Sequence, residues 1–218
     1  MAYKIGMVSL GCPKNQVDAE MMLANLIADG FELTNDETQA DAIIVNTCGF
    51  IEDAKREAID NILEVAQLKK SGKLKALIVT GCLAQRYKKE MQADLPEIDA
   101  IVTLGQNGNI ARIARDAINS KEQLLFSSSV SDMALSGDRI LTTPQYMAYL
   151  KIAEGCDNCC TYCAIPKIRG RYRSRQLDDI IAEAENLANS GVREITVVAQ
   201  DTTRYGEDLY GKSMLPEL

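Results

Sequence analysis

Seven cysteines and no histidine stand in a chain of 218 residues. Without imidazole there is no histidine base, and a soft-metal centre must be built from thiolates. Four of the cysteines fall within eight residues, in the run Glu154-Gly-Cys-Asp-Asn-Cys-Cys-Thr-Tyr-Cys-Ala-Ile-Pro166. Cys156, Cys160 and Cys163 form C-x-x-x-C-x-x-C. Three thiolates on one loop can hold three irons of a 4Fe–4S cluster and leave the fourth iron open, whereas an electron-transfer cluster closes all four positions. An open iron points to binding of a substrate or cofactor. Cys156, Cys159 and Cys163 give a second usable spacing, C-x-x-C-x-x-x-C; the first set is preferred, with Cys159 as a spare thiol. A zinc site is the structural alternative, although zinc held by four cysteines usually pairs two separated C-x-x-C knuckles and this loop is cramped for it.

The other three cysteines, Cys12, Cys48 and Cys82, are far apart in sequence but alike in setting. Each follows a predicted strand directly, in Ser-Leu-Gly-Cys, Val-Asn-Thr-Cys-Gly and Val-Thr-Gly-Cys. In a parallel sheet the carboxyl ends of all strands share one edge, and ligands bind there. The three thiols are therefore expected to converge, with Gly11, Gly49 and Gly81 allowing tight turns and close approach. The bland alternative is three buried core cysteines. Three thiolates suit a soft metal or an iron–sulfur cluster better than a closed four-ligand zinc site.

The elements that must position these residues can be read from hydrophobic period. Lys4–Ser9, Ala42–Asn46, Ala76–Thr80 and Ala100–Leu104 read as strands. Gln16–Ala28, Glu52–Lys70, Leu83–Ala93 and Ile110–Asn119 read as helices; Ile59, Ile62, Leu63 and Ala66 give the second its apolar face. Strands alternating with helices of this length predict parallel βαβ units and an open α/β sheet over residues 1–126. From 127 to 144 the pattern lapses into serines, threonines, Gly137 and Pro144, which reads as a linker. A second domain over 145–218 then offers one βαβ unit: strand Gln145–Ala153, a helix at about Gln176–Asn189 and strand Glu194–Ala199. One such unit cannot bury its own edges, so it packs on the first domain or the chain is a fragment of a larger protein; the fragment reading is favoured.

Composition sets the remaining bounds. Apolar residues make up 46% and charged residues 25%, an ordinary globular balance that excludes disordered and low-complexity classes. With 24 basic and 31 acidic residues the formal net charge is −7, so bulk attraction to nucleic acid or an anionic membrane is not expected. No run approaches the roughly 18 apolar residues of a membrane span, and the first residues lack a signal-peptide layout. A cytoplasmic location is expected, where cysteines stay reduced; the odd count also argues against a complete disulfide framework.

Cys156, Cys160 and Cys163, with Tyr162 just before the last, resemble the radical S-adenosylmethionine signature. The run through Arg169-Gly-Arg-Tyr-Arg-Ser-Arg175 is similar to the methylthiotransferase branch of that superfamily. The first half, with its three separated cysteines, resembles that branch's N-terminal domain. Ser9-Leu-Gly-Cys-Pro-Lys-Asn15, Asp157-Asn158 and Gln200-Asp-Thr-Thr-Arg-Tyr-Gly206 resemble the subgroup acting on a ribosomal protein, not on tRNA. The resemblance covers essentially the whole chain. It implies an N-terminal open parallel-sheet methylthiotransferase domain followed by the start of a radical S-adenosylmethionine partial β/α barrel. It implies two 4Fe–4S clusters, an auxiliary one on Cys12, Cys48 and Cys82 and a second on Cys156, Cys160 and Cys163. The open iron of the second would chelate S-adenosylmethionine, whose reductive cleavage gives a 5′-deoxyadenosyl radical. The implied substrate is an aspartate of ribosomal protein uS12, methylthiolated at its β-carbon. An electron donor would be a partner, a membrane would not, and nucleic acid would be met only through the ribosome. Tyr162, Arg169, Gln200 and Asp201 are the expected cofactor-side residues. The family's barrel and its TRAM domain extend beyond these residues, which would leave the chain without turnover of its own, and a non-cysteine is usual where Cys159 stands. The alternatives are a tRNA-adenosine methylthiotransferase of the same branch and a non-catalytic metal-binding fragment.

Gly206–Ser213 matches the P-loop pattern G-x-x-x-x-G-K-[ST], but Pro216 and the short remainder leave no helix to receive phosphates, so the match is taken as chance. Lys167, Arg169, Arg171, Arg173 and Arg175 form a basic run, read as a solvated loop or as a carboxylate contact. Asp18 and Glu20 are expected in the first turn of a helix.

Overall fold

The computed structural model describes residues 2–72 and 74–218. The first half follows the α/β pattern of the sequence: β1 (Lys4–Ser9), α1 (Pro13–Ala28), β2 (Glu32–Leu33), β3 (Ala42–Thr47), α2 (Glu52–Lys70), β4 (Ala76–Gly81), α3 (Cys82–Asp94), β5 (Ala100–Val102), α4 (Ile110–Asn119) and β6 (Leu124–Phe126). Among the described residues, six strands pair in parallel in the order β2-β1-β3-β4-β5-β6. The chain reverses its direction of travel across the sheet between β1 and β3, which is where open α/β sheets bind ligands. β3 and β4 are buried on both faces, which explains their unbroken Ile/Val runs. Alternate side chains serve opposite layers. Ala42, Ile44, Ala76 and Ile78 pack with α1 and α4, while Ile43, Val45, Leu77 and Val79 pack with α2 and α3.

The edge strands β2 and β6 carry no periodic signal in the sequence; each is short and pairs only with a stronger neighbour. Helix α1 begins at Pro13, three residues before the expected start. Proline fits the first helical position because its missing N–H would have no partner there.

The second half contains β7 (Met147–Lys151), β8 (Ala153–Glu154), α5 (Ile165–Arg169), β9 (Arg173–Ser174), α6 (Leu177–Asn189), β10 (Glu194–Val198) and α7 (Glu207–Tyr210). β7 and β10 pair in parallel around the crossover helix α6, as the βαβ reading expected. The single expected strand Gln145–Ala153 divides in two. Its end, β8, turns away to pair antiparallel with β9, and the four-cysteine loop hangs between that pair. The P-loop match is filled by the single turn of α7, bracketed by Gly206 and Gly211 at positive φ, with no helix at Lys212–Ser213.

Residues 127–144 are not a loose tether. Met133 is buried with Leu104, Cys82 and Ile168. Arg173 donates to the carbonyls of Ser131 and Val130 at 2.7 and 3.1 Å. Arg139 binds the buried Glu20 of α1 at 2.6 Å, reaches Glu183 of α6, and donates to the Tyr149 carbonyl at 2.8 Å. The Thr142 amide and hydroxyl donate to the other Glu20 oxygen at 2.8 and 2.9 Å. Glu20 is thus a clasp between α1, the strap formed by residues 127–144 and the second half, not a first-turn acid. Removing one member of a buried pair strands the other charge, at a cost of about 3–5 kcal/mol. Glu20→Ala is expected to lower unfolding free energy by about 3 kcal/mol, read as a lower urea midpoint; a loss below about 1 kcal/mol would show that the clasp contributes no more than a surface pair.

Candidate metal centre

The parallel sheet delivers Cys12, Cys48 and Cys82 from the carboxyl ends of β1, β3 and β4, three adjacent strands. Cys12 is the N-cap of α1 and Cys82 the first residue of α3, so two of the thiols sit at helix N-termini. Cys12 is exposed, Cys48 half-buried and Cys82 buried. Burial pushes the Cys82 thiol up, and the Arg169 guanidinium opposes that shift.

The three flanking glycines close this triangle. A Cβ at Gly11, where φ is +114°, would stand 3.0 Å from the Cβ of Cys48. One at Gly49 would meet the backbone nitrogen of Leu83 at 2.7 Å, beside Cys82. One at Gly81, where φ is +96°, would collide with the Thr47 carbonyl, beside Cys48. Each cysteine loop therefore touches the next through a missing side chain. Asn15 ties the arrangement together: its Nδ2 donates to the carbonyls of Leu10 at 3.0 Å and Thr47 at 2.9 Å, and the Cys82 thiol faces its Oδ1 at 3.7 Å.

Among the described residues, no three cysteine, histidine or carboxylate side chains converge on a point that one metal ion could occupy. A tetrahedral zinc needs every sulfur about 2.3 Å from one ion. A 4Fe–4S cube takes each thiolate on a different iron, so its sulfurs stand apart by the width of the cube. Three loops held in mutual contact, an all-thiolate donor set and a cradle that a Cβ would fill fit the cube.

The second cysteine set lies on an open loop. Cys159 and Cys160 are exposed, Cys156 and Cys163 half-buried, and Tyr162 is 85% exposed. The Asn158 amide donates to the Cys156 sulfur at 3.4 Å, and the Cys159 thiol turns back to the Asp157 carbonyl at 3.8 Å. Asp157 braces the loop by accepting from Arg171 Nε at 2.8 Å and the Tyr172 amide at 3.0 Å, and the Arg171 hydrogen bond holds its carboxyl below the usual range. Asn158 Nδ2 donates to Asp201 at 3.2 Å, and the Tyr172 hydroxyl donates to the Asp201 carbonyl at 2.9 Å. Burial raises the Tyr172 hydroxyl to about 12, so it remains a donor. Asp201 thus lies beyond β10, beside the cysteine loop, and the half-buried Gln200 precedes it in the chain.

Arg169 is placed differently from its expectation. It is 1% exposed and does not face the open side of the loop. Its Nη1 binds Asp18 at 2.9 Å and Glu154 at 2.7 Å, and its Nη2 donates to Asn15 Oδ1 at 2.5 Å. A guanidinium so engaged has no fork left for a cofactor carboxylate. The solvated-loop reading of the basic run is corrected with it: Arg175 is buried as well, while Arg171 remains exposed. Asp18, in the second turn of α1, also binds Lys151 of β7 at 2.6 Å. Burial alone would raise the Glu154 carboxyl, but Arg169, Lys151 and Lys14 outweigh it and hold the group well below the usual carboxylate range. Sequence reasoning missed this junction. Its signals were Lys151 in an otherwise apolar strand and Asp18 between Val17 and Ala19, since a charge in a buried element requires a partner.

Gly81→Ala and Gly30→Ala separate space from backbone conformation. Both glycines have positive φ, but a Cβ at Gly30 meets nothing within 4 Å. Gly30→Ala is expected to cost about 1–2 kcal/mol. Gly81→Ala should cost at least about 1 kcal/mol more through overlap and should lower iron uptake at the N-terminal cysteines; equal losses in the two variants would contradict the cradle.

Residues 4–103 match the uncharacterized protein family UPF0004, and residues 150–216 match the radical SAM superfamily. The chain is 56% identical over 217 residues to the ribosomal protein uS12 methylthiotransferase RimO of Clostridioides difficile (strain 630), covering 99% of this chain and 48% of that protein. It is 55% identical over 218 residues to the protein of the same name from Pelotomaculum thermopropionicum, covering 100% of this chain and 49% of that protein. The Geobacter sulfurreducens protein of that name is 51% identical over 218 residues, with 99% and 48% covered. The chain spans about half the length of the curated relatives it matches. A UPF0004 domain with a cysteine at each of three adjacent strand ends, followed by the opening of a radical SAM domain, makes the chain a member of the radical SAM methylthiotransferase family.

Proposed function

We propose that this chain is the cluster-bearing half of a radical S-adenosylmethionine enzyme that adds a methylthio group to the β-carbon of an aspartate in ribosomal protein uS12. The observation that carries the reading is the presence of two cysteine sets on one polypeptide: a glycine-lined cradle of three loops, and an open C-x-x-x-C-x-x-C loop followed by α5, whose Arg169 reaches Asn15 of the cradle. Relatives bearing the uS12 name support this substrate over a tRNA substrate, and the thiolate-only donor sets support iron–sulfur over structural zinc.

In this reading Cys12, Cys48 and Cys82 hold an auxiliary 4Fe–4S cluster, and Cys156, Cys160 and Cys163 hold the cluster that binds S-adenosylmethionine. When bound, these groups supply the one-electron chemistry that opens the substrate C–H bond and the sulfur that replaces it. The chain's own residues bind and orient. Asp157 and Arg171 fix the loop's base, while Asn158 and Asp201 fix its flank. Gln200 and Asp201 lie where a β/α barrel keeps its working residues, at the carboxyl end of a strand. Tyr162 stands outward at the rim, free to meet a cofactor. Arg139, Glu20 and Glu183 hold the halves in register. No proton transfer is assigned to a side chain, in keeping with a sequence without histidine. An electron donor completes the partners. A cytoplasmic location belongs to the same reading, and no helix among the described residues is long and apolar enough to cross a membrane.

Anaerobic reconstitution tests the reading. The chain is expected to hold about eight irons, falling to about four in Cys156→Ala/Cys160→Ala/Cys163→Ala and to about four in Cys12→Ala/Cys48→Ala/Cys82→Ala. Zinc without iron at either set would refute it.

A further inference from the structure

The buried ionic groups at the junction do not balance. Among the described residues, Lys14, Lys151 and Arg169 bring three positive charges to it, and Asp18 and Glu154 bring two negative ones. None of the five side chains is more than 6% exposed. An interior tolerates paired charges, but a surplus one calls for a counter-ion.

The geometry says where the surplus is directed. Lys151 is satisfied by Asp18 at 2.6 Å and lies 3.4 Å from Glu154. Arg169 spends Nη1 on the two carboxylates but turns Nη2 to Asn15 Oδ1, a neutral oxygen. The Cys82 thiol faces that same oxygen at 3.7 Å, so guanidinium and sulfur are no farther apart than those two short distances allow. Lys14 stands two residues after Cys12. Its Nζ is buried, lies 3.5 Å from Glu154, and makes no hydrogen bond among the described residues. The two cations not fully matched by carboxylates are therefore the two beside Cys12 and Cys82.

We propose that Arg169, with Lys14 beside it, is the built-in counter-cation of the N-terminal cysteine site. The inference rests on the reading that Cys12, Cys48 and Cys82 hold a cluster. A doubly positive 4Fe–4S core on three thiolates is a monoanion, and it gains a second negative charge on one-electron reduction. A fixed cation nearby stabilises both forms and the reduced one more, which raises the potential. Arg169 is a positioning residue. It ends α5, directly behind the second cysteine loop, so the segment bearing one cysteine set supplies the charge for the other.

The test uses the chain carrying Cys156→Ala/Cys160→Ala/Cys163→Ala, so that iron resides only at the N-terminal site. The midpoint potential is read from a redox titration followed by electron paramagnetic resonance. Arg169→Met is expected to shift the reduced-to-oxidised ratio at least tenfold toward the oxidised form, about 59 mV for a one-electron couple. Arg169→Lys, which keeps the charge, should stay near the parent. Asp18→Asn removes an anion and should move the potential the opposite way; that change of sign carries the test if Arg169→Met does not fold. Iron retained with an unmoved potential in Arg169→Met, or in Asp18→Asn where Arg169→Met does not fold, would overturn the counter-cation and leave the cluster reading standing. No iron at the N-terminal site of the parent would bring down both.

Discussion

The shared direction of the strands is the constraint on which the rest depends. A parallel sheet sends every strand's carboxyl end to one edge, so residues 36 and 34 positions apart (Cys12 to Cys48, Cys48 to Cys82) arrive at neighbouring corners without a compact motif. Covering both faces of the sheet by helices gives β3 and β4 their continuous apolar sequence. It also dries the inner part of that edge, around Cys82, so the buried polar groups there must find partners. Asn46 Nδ2 donates to the Asn15 carbonyl at 2.8 Å and the Thr47 hydroxyl donates to the Thr80 carbonyl at 2.5 Å, while Asn46 Oδ1 is left without a hydrogen-bond partner among the described residues.

The second half meets this edge through charge as well as through the apolar group of Cys82, Leu104, Met133 and Ile168. Its own apolar cluster around Ala148, Leu150, Ile152 and Tyr205 does not merge with the two cores of the sheet. Between them lie Asp18, Lys151, Glu154 and Arg169, and beside them Glu20, Arg139 and Glu183. Such groups are costly to bury singly. The junction is therefore complete only when both halves are present, and the position of one cysteine set relative to the other is written into side-chain geometry.

Much of this was legible in the sequence, and the limits have physical causes. The Ile/Val runs of β3 and β4 and the apolar face of α2 announce themselves because burial on a sheet or a helix imposes a period. The three strand-end cysteines followed from that pattern together with Gly11, Gly49 and Gly81. The edge strands escaped because two or three residues have no period to detect. The true start of α1 was hidden by Pro13, which reads as a breaker but serves as an initiator. Arg169, expected beside a cofactor, and Asp18, expected in a first helical turn, lie in the junction for a different reason: each is drawn inward by a partner distant in sequence, Asp18 standing 151 residues from Arg169. A contact at such separation leaves only a charge in an apolar element as its local trace, as at Lys151 and Asp18, and that trace does not name the partner.

The graded exposure of Cys12, Cys48 and Cys82 has a consequence of its own. The N-terminal centre has a floor and a rim. Cys82 is walled in by Leu104, Met133 and Ile168, and Cys12 borders solvent. Traffic to and from this site is therefore one-sided: a small molecule arriving from water meets the Cys12 corner first, and the back wall is closed by the strap and by α5, the helix that follows the other cysteine loop.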